Sequence, residues 1–136
     1  MAKLIRWDVP FAGAFYPSVV AHFQTSEAAS PGIIEITVRP NDGTQFRVEC
    51  KSVLAFTCFD ESCAPKRWFS NVETEQGEIS AYHCLDSPWI NSYEGCQYDA
   101  EGNSIPLNHY LIYGGDSIVE FVCQNEPVVT QLPNWN

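Results

Sequence analysis

Between Ile33 and Arg39 the chain alternates strictly, with Ile34, Ile36 and Val38 on one face and Glu35, Thr37 and Arg39 on the other. A period of two predicts a half-buried strand. Asn41-Asp42-Gly43 follows, a turn sequence whose glycine tolerates positive φ. Gln45 to Cys50 then alternates again, with Phe46, Val48 and Cys50 expected inward, and Val53 to Phe59 continues either as a new strand or as the same strand after a bend. Asp60 to Pro65 is a predicted loop. Glu78 to Leu85 is a further predicted strand, with Ile79, Ala81 and His83 on one side and Tyr82 and Cys84 on the other. His109–Tyr113 and Ser117–Cys123, joined by Gly114-Gly115-Asp116, form the clearest hairpin. Val128 to Leu132 suits a last edge strand.

Helical signals are few. Asp86-Ser87-Pro88 is a helix start, a capping side chain followed by proline at the first helical position, and Gly95 is the expected stop. Gln97 to Pro106 is a polar loop. Near the N-terminus, Leu4, Ile5 and Trp7 suit a strand. Ser18 to Ala29 is compatible with a helix carrying Val19, Val20 and Phe23 on one face, and Phe11, Phe15 and Tyr16 cluster around Gly13. The whole pattern predicts a mainly β domain, with α+β as the variant: an antiparallel sheet or flattened barrel with one or two short helices. No repeat, low-complexity tract or linker divides the chain, so residues 1–136 are expected to form one domain.

Composition supports a folded core. Of 136 residues, 45% are hydrophobic and 13% aromatic, and the charged fraction of 18% is too low for a disordered chain. No apolar run approaches a membrane span, and Arg6 and Asp8 interrupt what would otherwise resemble a leader, which points to the cytoplasm. In that compartment the six cysteines, Cys50, Cys58, Cys63, Cys84, Cys96 and Cys123, are expected mainly as free buried thiols rather than disulfides.

Charge is distributed unevenly. Acids and bases balance, seven of each, up to residue 70. Residues 71–136 hold ten acids and no Lys or Arg, so the entire net charge of −10 belongs to the second half. Such a field repels nucleic-acid phosphate and favours basic surfaces.

Catalytic signatures are weak. The Cys and His spacing lacks a second zinc knuckle, because His83 and Cys84 leave opposite faces of one strand, so no metal and no cofactor is expected. His109, Asp116 and Ser117 could be aligned as a triad, but no Gly-x-Ser-x-Gly elbow frames the serine, and Gly114-Gly115-Asp116-Ser117 is better explained as turn chemistry. Carboxylate pairs such as Asp60/Glu61, Glu73/Glu75 and Asp99/Glu101 lie in predicted loops, where solvated acid is the ordinary case. Trp89, Tyr93 and Tyr98 sit among acids and turn residues, a combination that suits a protein-binding surface, since aromatics dominate binding hot spots.

Asp86-Ser87-Pro88-Trp89-Ile90, followed by Asn108-His109-Tyr110-Leu111-Ile112 and Ser117-Ile118-Val119-Glu120-Phe121-Val122, resembles small bacterial proteins, some of them similar to immunity partners of secreted toxins. The similarity spans about residues 78–130 and brings no active site with it. With the charge segregation and the missing catalytic signatures, it points to a non-catalytic inhibitor that covers a basic site on a toxin or nuclease. The contact residues expected on charge and aromatic grounds are Trp89, Tyr93, Glu94, Tyr98, Asp99, Glu101 and Asp116. A phage counter-defence inhibitor, a carbohydrate-binding module and a small hydrolase using paired carboxylates are the alternative readings.

Overall fold

The computed structural model describes residues 2–26, 29–60, 73–74, 79–92 and 98–135. They form nine strands and one short helix: β1 (Lys3–Arg6), β2 (Ser18–Ser26), β3 (Ala29–Arg39), β4 (Gln45–Asp60), β5 (Glu73–Thr74), β6 (Ala81–Leu85), α1 (Pro88–Asn91), β7 (Asn108–Tyr113), β8 (Ser117–Cys123) and β9 (Val128–Leu132). The sheet runs β2-β3-β4-β8-β7-β6-β1-β5, with β9 also paired to β4. All pairings are antiparallel except β1 with β5. The start of β2 also approaches the start of β8, where Ser117 Oγ donates to Val19 O at 3.5 Å.

Strand β4 organises the sheet by changing partners along its length. Its first half, Gln45–Glu49, lies between β3 and β9, and its second half, Ala55–Asp60, pairs with β8. The two alternating runs of the sequence are thus one 16-residue strand continued through a bend. Register shifts at Val53/Ala55 and at Gly32/Ile34 mark the bend on both neighbours, as expected where an extra residue locally kinks a ladder.

The segment from Ser18 is strand β2, which corrects the expected helix. Val19, Ala21 and Phe23 pair with Val38, Ile36 and Ile34 of β3. The helical face needed Val20 together with Val19 and Phe23, whereas the structure leaves Val20 47% exposed and packs Val19 and Ala21 against the core. Alternation and β-branching therefore prevail over helical spacing. At Gly32, an added Cβ would sit 2.5 Å from the Phe23 ring, which stacks on Phe56 at a centroid distance of 5.0 Å, so only glycine admits this ring pair.

The main core combines Ile34, Ile36, Val38, Phe46, Val48, Tyr110, Ile112, Val119 and Phe121 with Trp7, Val9, Phe11 and Ala12 of the segment after β1. That segment is pinned by hydrogen bonds from Trp7 N to Ala81 O and from Ser80 N to Ala12 O. Its rings wedge onto the sheet, Trp7 at 4.6 Å from Tyr110 and Phe11 at 5.7 Å from Phe46. A second cluster, Ala2, Leu4, Tyr82, Cys84 and Leu111, covers the other face of β1, β6 and β7. The strands β6 to β8 are consequently buried on both faces, which explains the near-continuous apolar runs of β7 and β8.

Helix α1 begins as the sequence predicts. Ser87 Oγ accepts the Ile90 N–H at 3.2 Å, and Pro88 occupies the first turn. The helix ends at Asn91, before the expected stop. Gly95, the loop expected after Asp60, the start of the strand expected from Glu78, and Cys63 and Cys96 lie outside the described residues. Among the described residues no helix is long and apolar enough to cross a membrane.

Candidate functional site

Among the described residues, polar or aromatic groups gather in two places for reasons beyond ordinary packing. The first lies inside the sheet. His109 on β7 and Glu120 on β8 are both completely buried, and His109 Nε2 lies 2.9 Å from Glu120 Oε2. In the β7–β8 register His109 opposes Val122 and Leu111 opposes Glu120, so the two polar side chains are diagonal neighbours on one face. Ser87 Oγ reaches His109 Nδ1 at 2.7 Å, and Thr57 Oγ1, directly across from Glu120 on β4, donates to Glu120 Oε1 at 3.0 Å. The Trp89 ring stands edge-on to His109 at 5.1 Å.

These contacts form one chain, Ser87–His109–Glu120–Thr57, that links α1 to β4 across two strands. With the proton on Nε2, every member is satisfied: the Ser87 hydroxyl donates to Nδ1, Nε2–H donates to Oε2, and Thr57 donates to Oε1. The composition is that of a serine–histidine–acid triad, but the geometry denies it a substrate. Ser87 is 3% exposed, and its oxygen is already engaged by the Ile90 N–H. A nucleophile must have space for a reacting atom beside it. The triad considered from the sequence is not assembled either: His109 pairs with Glu120 and Ser87, while Asp116 and Ser117 lie at the far end of the hairpin. Glu120 is the member that sequence reasoning misses. Its signal is positional, a lone acid between Ile118 and Val122 on an otherwise apolar strand face.

The second place is at the end of the sheet where β3 meets β4 and β7 meets β8. An open cleft of about 570 Å³ is lined by Phe11, Phe15, Asn41, Asp42, Phe46 and Gln131, among others. A smaller one of about 180 Å³ adjoins it through Asn41 and is walled by Tyr16, Val19 and Asp116. Phe15 and Tyr16 are 57% and 55% exposed and meet edge-on at 4.3 Å, and Trp135 is 47% exposed. The turns hold these rings in place. Asn41 Nδ2 donates to Phe15 O, Trp135 Nε1 donates to Pro40 O, and Gly115 N donates to Pro17 O. Gly114 allows the close approach, since a Cβ there would sit 2.9 Å from Val19 Cγ2 and 3.0 Å from Pro17 O. Tyr16 adopts φ 45°, a left-handed conformation unusual for a bulky residue. Asp42 Oδ1 accepts from both Thr44 Oγ1 and Thr44 N, and those bonds, the hydroxyl's first, lower its pKa from the usual carboxylate value.

The residues expected to make contacts fall into separate groups. Asp116 is exposed and belongs to the aromatic end. Trp89 is half-buried against His109, near the opposite end of β7, roughly 15–20 Å away at the usual rise per strand residue. Tyr98 is 57% exposed and bridges to Ser104. Asp99 organises that turn: its Oδ1 accepts from Glu101 N and Asn103 N, and the Asn103 contact is the main reason its pKa is lowered. Glu101 is exposed beside it. Tyr93 and Glu94 lie outside the described residues. No group of three or more potential metal ligands gathers among the described residues.

Comparison with known proteins yields no matching family model, no matching curated protein and no matching solved structure.

Proposed function

We propose that the protein is a non-catalytic acidic binding protein, an immunity-type inhibitor that occludes a basic site on a protein toxin or nuclease. The observation that carries this reading is the exposed aromatic end, where Phe15 lines one open cleft with Asp42, Tyr16 lines a smaller one with Asp116, and exposed Trp135 is hydrogen-bonded to Pro40 of the β3–β4 turn. Large apolar rings held at the surface by turn hydrogen bonds are what a hot spot requires, and acids around them favour a cationic partner. Arg39, at the same end, directs its Nε to Gln45 Oε1 at 2.7 Å. The net charge of −10 adds long-range attraction toward such a partner. The triad-like constellation of Ser87, His109 and Glu120 is buried, which speaks for binding over hydrolysis.

The test is capture of partners from the native host at low and high salt, with wild-type protein and a Phe15→Ala/Trp135→Ala variant as baits. The expected partner is a basic protein with toxic or nuclease activity that the wild-type chain suppresses, held at low salt, released at high salt and lost with the double variant. A captured partner held equally by both baits would place the interface elsewhere. Salt-independent capture would remove the electrostatic component.

A further inference from the structure

Strand β2 is the outermost strand beyond β3, and among the described residues no other strand pairs with it. Natural sheets usually guard such an edge with lysine, proline or other charge. Ser18–Ser26 holds no Asp, Glu, Lys, Arg or Pro, in a chain with 17 acids and 7 bases. Val20 and Phe23 are 47% and 37% exposed, and His22, Gln24 and Thr25 are exposed beside them. Three contacts fix the direction of the backbone groups along this edge. Pro17 O accepts the Gly115 N–H at 2.9 Å and Val19 O accepts from Ser117 Oγ at 3.5 Å, so both carbonyls turn away from β3. Gln24 O turns the other way, 3.0 Å from where a Cβ on Gly32 of β3 would stand. In an antiparallel pair the N–H and C=O of one residue point to the same side, and the side alternates along the strand. Ala21 and Phe23 therefore aim both of their backbone groups outward, beyond the point where β8 approaches.

We propose that two copies of the chain associate by pairing their β2 edges antiparallel about a two-fold axis at His22, with Ala21 of each copy opposite Phe23 of the other. In this register the outward N–H groups of Ala21 and Phe23 each meet an outward carbonyl of the second copy. It does not call on Val19, whose carbonyl Ser117 already engages, or on Thr25, where the β2–β3 register shifts and regular pairing ends. The side chains fit the same register. The Phe23 ring, partly exposed where it stacks on Phe56, gains the space left by the small Ala21 of the second copy. Charge selects a second copy as the occupant. At a net charge of −10, two copies repel wherever acids meet, and this edge brings none. For the same reason it offers a cationic partner nothing to pair with. The association is thus independent of the binding proposed at the aromatic end, and salt separates the two. Screening should strengthen the pairing of two acidic copies and weaken the capture of a basic protein.

Sedimentation velocity of the full-length protein, over a range of concentrations at low and high salt, tests the proposal. The expected result is a monomer–dimer equilibrium that tightens as salt rises. Ala21→Pro removes an outward N–H without removing a bond to β3, a change that an edge strand tolerates. Losing that donor from both copies should weaken dimerisation at least about tenfold while circular dichroism stays that of wild type. His22→Cys reads the register. Directly opposed Cα atoms of such a pair lie about 4.5 Å apart, within disulfide reach, so mild oxidation should join the introduced thiol to its own counterpart in the second copy, as peptide mapping would show. If Ala21→Pro does not fold, the cross-link decides. A chain that stays monomeric up to about 1 mM, a folded Ala21→Pro that dimerises as well as wild type, or an introduced thiol that links only to native cysteines would overturn the proposal.

Discussion

The buried polar chain on β7 and β8 and the aromatic end of the sheet are opposites. Ser87, His109 and Glu120 are residue types that perform acid–base and nucleophilic chemistry, yet His109 and Glu120 are completely buried and Ser87 nearly so. Phe15, Tyr16 and Trp135 perform no such chemistry, yet they stand about half exposed, Phe15 and Tyr16 on the walls of open clefts. Access, not residue identity, separates an architectural constellation from a functional one. Burying a carboxylate beside an imidazole is costly unless every lone pair and proton is matched, and the Ser87 and Thr57 hydroxyls complete that matching. What the arrangement yields is a fixed register between α1, β7, β8 and β4.

The most severe way to break this comparison is to remove one partner of the buried pair. Glu120→Ala is expected to cost about 3–5 kcal/mol of folding free energy, because His109 and Thr57 lose their buried partner and a cavity remains. His109→Ala should cost a similar amount. Denaturant midpoints at constant slope measure both. A double His109→Leu/Glu120→Leu variant should recover much of the loss, since an apolar pair of similar volume removes the unmatched polar groups. Wild-type-like stability for Glu120→Ala would mean that the pair is not architectural, and the sealed site would have to be reconsidered as chemistry. Ser87→Ala comes next in size, at about 1–2 kcal/mol, because it removes both the helix cap and the partner of His109 Nδ1.

Much of this is legible in the sequence, and what is not has a physical explanation. Alternation locates β3, β4, β8 and β9 because each has at least one regular pleated face. The cap at Ser87 is legible because serine followed by proline has one dominant use. Strand β2 reads as a helix because Val19, Val20 and Phe23 fit helical spacing, and only pairing with Ile34, Ile36 and Val38 reveals which of them faces inward. The partnership of His109 with Glu120 is hidden because it depends on the register of β7 against β8. The expected grouping of Trp89 with Asp116 ignores the length of β7, which separates them. Phe15 and Tyr16 are visible as a cluster near Gly13, but their exposure depends on turns contributed by residues as distant as Asn41 and Gly115.

The two regions should also respond to opposite ends of the pH scale. Around the buried pair, burial raises Cys84 from 9.0 to about 11 and pushes Tyr113 upward as well. These groups bind protons more tightly when folded, so their contribution is complete below the unfolded value and is lost as pH rises through the folded one. Stability should therefore decline from about pH 9 upward, and Cys84→Ala should flatten part of that slope. At the aromatic end Asp42, and in its separate turn Asp99, have lowered values because they accept hydrogen bonds as carboxylates. Their contribution is present above the usual value of 3.8 and is lost as pH falls below it, a weaker effect because both are solvent-exposed. Thermal midpoints measured across pH for wild type, Cys84→Ala and Asp42→Asn separate the two limbs. An alkaline slope unchanged by Cys84→Ala would remove that thiol from the account.

The smallest change in stability, and the sharpest test of the exposed region, is expected from Tyr16→Gly. Tyr16 sits at φ 45°. A tyrosine in that left-handed conformation bears a steric cost of about 1–2 kcal/mol that glycine does not. Glycine also frees the unfolded chain, which costs about 0.5–1 kcal/mol. It forfeits the edge-on contact with Phe15 as well, a contact worth about 0.5–1.5 kcal/mol at most and less at an exposed site. The terms nearly cancel, so folding stability should change by less than about 1 kcal/mol in either direction. A residue kept in a strained conformation without benefit to the fold has its reason elsewhere, and here the ring is held at the mouth of the cleft shared with Asp116. Partner binding should therefore fall at least about tenfold, as for a hot-spot truncation of about 1.4 kcal/mol or more, while the denaturation midpoint stays close to wild type. A large loss of stability would instead make Tyr16 a structural pin for the turns around Asn41 and Gly115, and the contrast between the sealed and the open region would lose its clearest example.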